Sequence, residues 1–133
     1  MIILAIDFGI KYIGLALADT NLNIAFPYQT LKNNNHFLDE LKEVIIKEGI
    51  KKVIVGRPIG MEGQITEQTK ITDQFVNFLK NNLSIPVEIF DERLSSKMVE
   101  LTKMGQNKKR GETAEHAAAA AIILQEYLEK SKN

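Results

Sequence analysis

A continuous apolar run at residues 2–6 opens the chain and ends at the carboxylate of Asp7. Such a run is typical of a strand that is buried on both faces of a sheet. Gly9 and Gly14 frame a short turn before residues 12–18 resume an apolar strand pattern, which predicts a tight hairpin. Because a carboxylate at the end of a buried strand needs a compensating charge or hydrogen bond, Asp7 is a candidate functional residue, with turn capping as the alternative.

The composition favours one globular domain over residues 1–133, because 44% of the residues are hydrophobic. Seventeen basic and seventeen acidic side chains cancel, so net charge argues neither for nor against a nucleic-acid partner. The absence of cysteine excludes disulfides, thiolate metal sites and cysteine nucleophiles. No apolar run approaches the roughly 20 residues of a membrane span, so we expect a soluble, cytoplasmic protein without a membrane partner.

Strand and helix patterns alternate along the rest of the chain. The sequence predicts a third strand at 24–31, a helix at 37–48 ended by Gly49, a strand at 52–55 followed by a loop at 56–63, a helix from a Thr66 cap to Asn82, a strand at 87–90, a short helix at 95–103 and a last helix at 112–129. This order predicts an α/β domain whose mixed sheet is covered by helices on both faces.

Charged residues follow two of the predicted parallel strands. Arg57 follows the strand at 52–55, and Glu92 follows the strand at 87–90. Ligands of such sheets gather at the carboxyl ends of the strands, so we expect Asp7, Arg57 and Glu92 to meet there. An ordinary surface cluster of ion pairs is the alternative for Glu92 and its neighbours.

Four segments together form a recognisable pattern: IDFGIKYIGLALAD at 6–19, VIVGRPIGMEGQ at 53–64, VEIFDERLSS at 87–96 and AAAAAIILQEYL at 117–128. In their order and spacing they resemble the YqgF (RuvX) family, whose members are Holliday junction resolvase-like proteins of the ribonuclease H superfamily associated with the processing of pre-16S rRNA. The resemblance implies a ribonuclease H-like, five-stranded sheet in the order 3-2-1-4-5. It also implies catalytic carboxylates on the first strand, on a later strand end and on the last helix.

Asp7 and Glu92 match the first two of these carboxylate positions. His116 stands where the family usually carries an aspartate, and Glu112 and Glu115 are nearby alternatives. The resemblance therefore makes Asp7, Glu92 and His116 the predicted catalytic and metal-binding residues.

Clustered carboxylates fit phosphodiester hydrolysis assisted by divalent metal ions, with two ions holding the scissile phosphate. Mg²⁺ prefers oxygen ligands, whereas a histidine ligand suits Mn²⁺ better, so the cofactor is predicted as Mg²⁺ or Mn²⁺. Because an imidazole titrates near neutral pH, His116 is also a candidate general acid or base.

Basic residues are expected to rim this carboxylate cluster and to contact the phosphate backbone, which carries little sequence information. The predicted substrate-binding residues are Lys11, Arg57, Arg93, Lys108, Lys109 and Arg110. For the last three residues, which form a basic run without apolar neighbours, a solvated loop is the alternative.

The resemblance predicts a metal-dependent nuclease that processes the 5′ end of pre-16S rRNA, or a Holliday junction resolvase-type nuclease acting on branched DNA. A nucleic-acid-binding module without catalytic activity is an alternative, because His116 replaces an acid. The Gly turn after Asp7 also resembles the phosphate loop of actin-like ATPases, but nothing in the chain repeats it as a second domain. Both a monomer and a homodimer are compatible with the sequence.

Overall fold

Five strands form one mixed sheet at the centre of the molecule. The computed structural model describes residues 1–60, 62–92 and 112–131. Its strands are β1 (Ile2–Asp7), β2 (Tyr12–Asp19), β3 (Ile24–Lys32), β4 (Ile50–Pro58) and β5 (Val87–Glu92). They lie in the order β3-β2-β1-β4-β5. The first three strands are antiparallel, and β4 runs parallel to both β1 and β5. The strand order that the family resemblance implies is confirmed.

In the part of the chain that the structure describes, three helices cover the two faces of the sheet. They are α1 (Phe37–Glu48), α2 (Glu67–Asn82) and α3 (Glu112–Ser131). Residues of α1 and α2 pack with Leu4, Ile6 and Val55 in one core cluster. Residues of α3 pack with Ile3, Ala5 and other side chains in a second cluster. Because successive residues of a strand point to opposite faces, β1 fills both clusters in alternation, which explains its continuous apolar run.

The caps that the sequence predicts set the ends of α1 and α2. Gly49 follows α1 with φ 65°, in the left-handed region that favours glycine, and its N–H donates to the last turn of the helix. The side chain of Thr66 accepts from the backbone N–H of Thr69 and forms a reciprocal capping box at the start of α2. The bounds predicted for α1 are confirmed.

Strand β4 is longer than its sequence predicts. Gly56, Arg57 and Pro58 were expected in a loop, but they continue the strand and pair with β5 as far as Glu92. The expectation rested on the poor intrinsic strand propensity of glycine and proline, which pairing with a neighbouring strand overrides. The longer strand places Gly56 between the ends of β1 and β5.

The predicted helix at 95–103 lies outside the residues that the structure describes. Among the helices it does describe, none is both long and apolar enough to cross a lipid bilayer.

Candidate active site

Asp7 ends β1 on the face of the sheet that α3 covers. Its Oδ2 atom lies 3.2 Å from Nδ1 of His116, so the strand end and the last helix meet through this pair. Both side chains remain partly exposed, with relative accessibilities of 27% for Asp7 and 28% for His116. The contact is a hydrogen bond when the imidazole carries its proton on Nδ1, and an ion pair when the ring is protonated on both nitrogens.

A close approach of α3 to β2 brings His116 to Asp7. Gly14 pairs with Asp7 across β1 and β2, and a Cβ at this position would overlap the carbonyl group of His116. A Cβ at Gly9 would lie 2.9 Å from Cε1 of His116. Ala117, the next residue of the helix, is buried. Small residues on both elements therefore let the helix backbone rest on the sheet.

Glu92 ends β5 and faces the same side of the sheet. Both of its carboxylate oxygens are buried, and they accept no hydrogen bond from a donor group among the described residues. The pKa of Glu92 is raised to about 8, first of all by burial, then by the charge of Glu126 and a hydrogen bond shared with it, and by the charge of Asp7, while Lys130 opposes the shift. This acid therefore retains a proton at neutral pH unless a cation compensates its charge.

A small cavity of about 130 Å³ joins the two strand ends. Asp7 and Glu92 both line it, although β4 separates their strands. Gly56 lies between them and has no side chain to fill the space. The remaining lining residues are Phe8, Pro58, Gln68 and Ile123. The structure thus brings Asp7 and Glu92 to one cavity, as the sequence predicts.

Two residues of this region were not foreseen in the sequence analysis. Glu126 lies near Glu92 and follows Ile123 by three residues, about one helical turn, so helical spacing could have identified it. Gln68 belongs to the first turn of α2, which the Thr66 cap orients towards the cavity. The sequence signal for Gln68 was a long polar side chain just after the predicted helix cap at Thr66.

The expectation that Arg57 meets Asp7 and Glu92 is wrong. Side chains alternate along β4, so Arg57 points to the α2 face while Gly56 and Pro58 border the cavity. Its Nε and Nη2 atoms donate to the two carboxylate oxygens of Asp73 at 2.8 and 3.1 Å. Its Nη1 atom lies 3.5 Å from Asp91. The pKa of Asp73 is lowered, first of all by its hydrogen bonds to Arg57.

Lys11 occupies the turn between β1 and β2, close to the Asp7 end of the sheet. Its Nζ atom lies 5.6 Å from the centre of the Tyr12 ring, and that ring centre is 6.2 Å from the His116 ring centre. The other predicted phosphate-contacting residues, Arg93, Lys108, Lys109 and Arg110, lie outside the described part of the chain.

His116 stands at the position for which the family resemblance implies a third acid. Among the candidates for this position, the structure describes the side chains of Glu115 and His116. His116 contacts Asp7, and no such contact is seen for Glu115. Within residues 1–60, 62–92 and 112–131, no three His, Asp or Glu side chains are grouped closely enough to hold a metal ion. The predicted ligands Asp7, Glu92 and His116 therefore do not form a closed three-residue cage.

Comparisons with known proteins assign the family. A family model described as RuvX, Holliday junction resolvase, matches residues 1–130. The chain belongs to the RuvX family. This match confirms the family resemblance seen in the sequence and the enzyme class, a nuclease that hydrolyses phosphodiester bonds.

Curated members of the RuvX family are similar to the chain over nearly its whole length. A protein of Rickettsia africae is 36% identical over 98% of this chain and 88% of its own length. A protein of Chloroflexus aurantiacus is 34% identical over 99% of this chain and 89% of its own length. Both carry the name "Putative pre-16S rRNA nuclease".

Solved structures of RuvC share the fold of this RuvX member. Thermus thermophilus RuvC superposes with a TM-score of 0.60 at 16% identity, over 99% of this chain and 96% of RuvC. The same protein in complex with a Holliday junction gives a TM-score of 0.58, also at 16% identity, over 100% of this chain and 96% of RuvC. The predicted ribonuclease H-like fold is therefore confirmed.

Proposed function

We propose that the chain is a metal-dependent nuclease whose divalent ion is held by Asp7 and Glu92. The observation that supports this proposal best is the carboxylate of Glu92, because its two oxygens are buried beside a second acid, Glu126, and no donor group among the described residues hydrogen-bonds to them. A buried carboxylate of this kind is costly unless a cation or a proton neutralises it. A divalent ion in the cavity shared with Asp7 would satisfy both acids.

The available donor atoms fit Mg²⁺ or Mn²⁺. Mg²⁺ is usually bound through one or two carboxylates, while water and substrate phosphate complete its coordination. Asp7 and Glu92 are therefore sufficient to bind Mg²⁺ without a third protein ligand. A bound divalent ion would stabilise the charge that develops on the phosphate during hydrolysis.

The side chains around the two acids have supporting roles in this proposal. His116 holds Oδ2 of Asp7 through Nδ1 and would orient this carboxylate towards a cation. Glu126 raises the proton affinity of Glu92 when no cation is present. Loss of the proton from Glu92 would then accompany ion binding. Gln68 adds an amide to the cavity wall, where it can contact a phosphate oxygen or water.

We propose the 5′ end of pre-16S rRNA as the substrate. The name shared by the Rickettsia and Chloroflexus relatives supports this choice, since each aligns with nearly the whole chain. Lys11 at the rim of the site would contact the phosphate backbone, as would Arg93, Lys108, Lys109 and Arg110 on the basis of their charge. A four-way DNA junction is the second candidate, supported by the family description and by the fold shared with RuvC.

A cleavage assay tests the proposal. The wild-type chain is incubated with a pre-16S rRNA fragment and with a four-way junction, in Mg²⁺, in Mn²⁺ and in EDTA. We expect cleavage only with a divalent ion, and we expect Asp7→Asn and Glu92→Gln to reduce the rate by about 100-fold or more. Asp91→Asn is the matched control, because Asp91 neighbours Glu92 on β5 but faces Arg57 on the opposite side of the sheet.

The outcomes separate the candidate functions. Cleavage that is unaffected by Asp7→Asn would refute the proposed site. Binding of either nucleic acid without cleavage in any metal would instead support a binding module that lacks catalytic activity. The preferred substrate, RNA or junction, decides between the two nuclease functions.

A further inference from the structure

A second and larger cavity opens on the opposite face of the sheet, next to the end of β1. Its volume is about 560 Å³, and it lies between the start of α1 and the inner side of α2. Four of the six phenylalanines in the chain line it, namely Phe8, Phe37, Phe75 and Phe78. The rings of Phe8 and Phe75 stack with centres 4.2 Å apart. Phe78 is 42% exposed, so its ring is accessible to a ligand.

Amide side chains provide the polar part of this cavity. Asn33, Asn34 and Asn35 lie on one side and Gln74 on the other. Asn33 donates to the carbonyl of Gly9, and the side-chain oxygen of Asn34 accepts from the N–H of His36. Within the described part of the chain, the amides of Asn35 and Gln74 have no hydrogen-bond partner. They can therefore donate to and accept from a ligand.

Among the described residues, none that lines the cavity carries a charged side chain. A phosphate or carboxylate group would find no counter-charge there, which argues against an anionic ligand. A flat aromatic ligand with hydrogen-bonding edges fits better, because phenylalanine rings offer stacking surfaces and amides can pair with both donors and acceptors. Nucleobases of single strands are recognised by this combination of stacking and edge hydrogen bonds.

Phe8 connects this aromatic cavity to the candidate active site. It follows Asp7 directly and lines both the cavity of Asp7 and Glu92 and the aromatic cavity. From these positions we infer that the aromatic cavity binds an unpaired nucleobase of a nucleic-acid strand whose phosphate backbone passes Asp7. This inference rests on the proposed nuclease function and adds a base-binding site to it.

Ring resonances of the phenylalanines test the inference without any catalytic step. The wild-type chain with ¹³C-labelled phenylalanine rings is titrated with a short single-stranded oligonucleotide in EDTA. We expect shifts of the rings that line the cavity and no comparable shifts of Phe26 or Phe90, which do not line it. Equal shifts of all six rings, or no shifts, would overturn the inference.

Affinity measurements identify the ring that is used. Because a base stacks on an aromatic side chain, Phe78→Ala should weaken oligonucleotide binding, measured by fluorescence anisotropy in EDTA, by about 5- to 150-fold. Phe78→Tyr, which keeps the ring, should stay close to wild type. Phe26→Ala is the matched control, because Phe26 is 58% exposed on β3, away from the cavity. Equal losses for Phe26→Ala and Phe78→Ala would contradict the inference.

Two ligand variants show whether the bound base belongs to a strand. An abasic nucleotide at one position should weaken binding to the wild-type chain but should have little further effect on Phe78→Ala. Adenosine monophosphate should bind more weakly than the oligonucleotide, and equal affinity would overturn the assignment to a strand. These readouts need no metal.

Loss of the base site with intact Asp7-dependent cleavage refutes only this inference, whereas base binding without cleavage refutes the nuclease function.

Discussion

Gly14 lies against the backbone of His116, where helix α3 crosses strand β2. A Cβ at Gly14 would overlap the carbonyl of His116 and would lie 2.7 Å from the backbone nitrogen of Ala117. Backbone atoms of a helix cannot rotate away as a side chain can, so the contact fixes the height of α3 above the sheet. Since Gly14 also pairs with Asp7, the same contact sets the distance between His116 and Asp7.

Gly14→Ala should therefore disturb both stability and the site. We expect the free energy of unfolding to fall by about 1–3 kcal/mol, the usual range for overpacking, and cleavage to fall in the protein that remains folded. Urea denaturation and the cleavage rate at a temperature where the variant is folded give the two readouts. Gly49→Ala is the control, because Gly49 has φ 65° and open space around its Cβ position. It should lower stability without changing the cleavage rate, and equal effects of both variants on cleavage would contradict this reasoning.

Glu92 should make stability decrease as the pH rises in the absence of metal. Its pKa is raised from 4.5 to about 8 in the folded chain. Below pH 4.5 the group is protonated in both states. Between these values the unfolded chain releases the proton while the folded chain keeps it, so unfolding becomes progressively more favourable. Because of this carboxyl group, the melting temperature in EDTA should fall by several degrees between pH 5 and pH 8.

Glu92→Gln isolates that contribution. The variant carries no ionisable group at this position, so its melting temperature should depend less on pH over the same range. The difference between the melting temperatures of wild type and variant removes the contribution of the histidines, which titrate in both proteins. Mg²⁺ should restore the wild-type melting temperature at pH 8 and should have little effect on Glu92→Gln. Asp91→Asn serves as the control with an intact cavity. Identical pH dependence of wild type and Glu92→Gln would show that the carboxylate is not buried as described.

The Arg57 ion pair should contribute to stability and not to nucleic-acid binding. Arg57 joins β4 to α2 through two hydrogen bonds to Asp73. We expect Arg57→Gln to lower the free energy of unfolding by about 1 kcal/mol and to leave oligonucleotide affinity nearly unchanged. Lys11→Gln should leave the free energy of unfolding nearly unchanged and weaken oligonucleotide binding. It should also reduce the slope of log affinity against log salt concentration by about one unit. A larger affinity loss for Arg57→Gln than for Lys11→Gln would restore Arg57 as a phosphate contact.

The family resemblance implied the order of the strands. Helix α1 and the convergence of Asp7 with Glu92 were predicted from local patterns, namely apolar periodicity, the Gly49 cap and acids at strand ends. Prediction from the sequence failed where the outcome depends on packing between distant segments. Gly56 and Pro58 are local strand breakers, yet pairing with β5 keeps them in β4. That extra length turns Arg57 towards Asp73, and the proximity of Glu126 to Glu92 arises only after α3 packs on the sheet.

His116 provides the sharpest test of how the site works, because its Nδ1 atom contacts Asp7 and an imidazole is also a common metal ligand. If the imidazole only positions Asp7, His116→Ala should slow cleavage by about 10- to 100-fold, equally in Mg²⁺ and Mn²⁺. His116→Gln, whose amide can still donate to the carboxylate, should lose less.

A change in the ratio of the Mn²⁺ rate to the Mg²⁺ rate would instead show that the ring is a direct ligand, since imidazole favours transition ions. Glu115→Gln is the control on the adjacent residue of α3. If it slows cleavage more than His116→Ala, Glu115 takes the third acidic position of the family and the Asp7–His116 contact is structural.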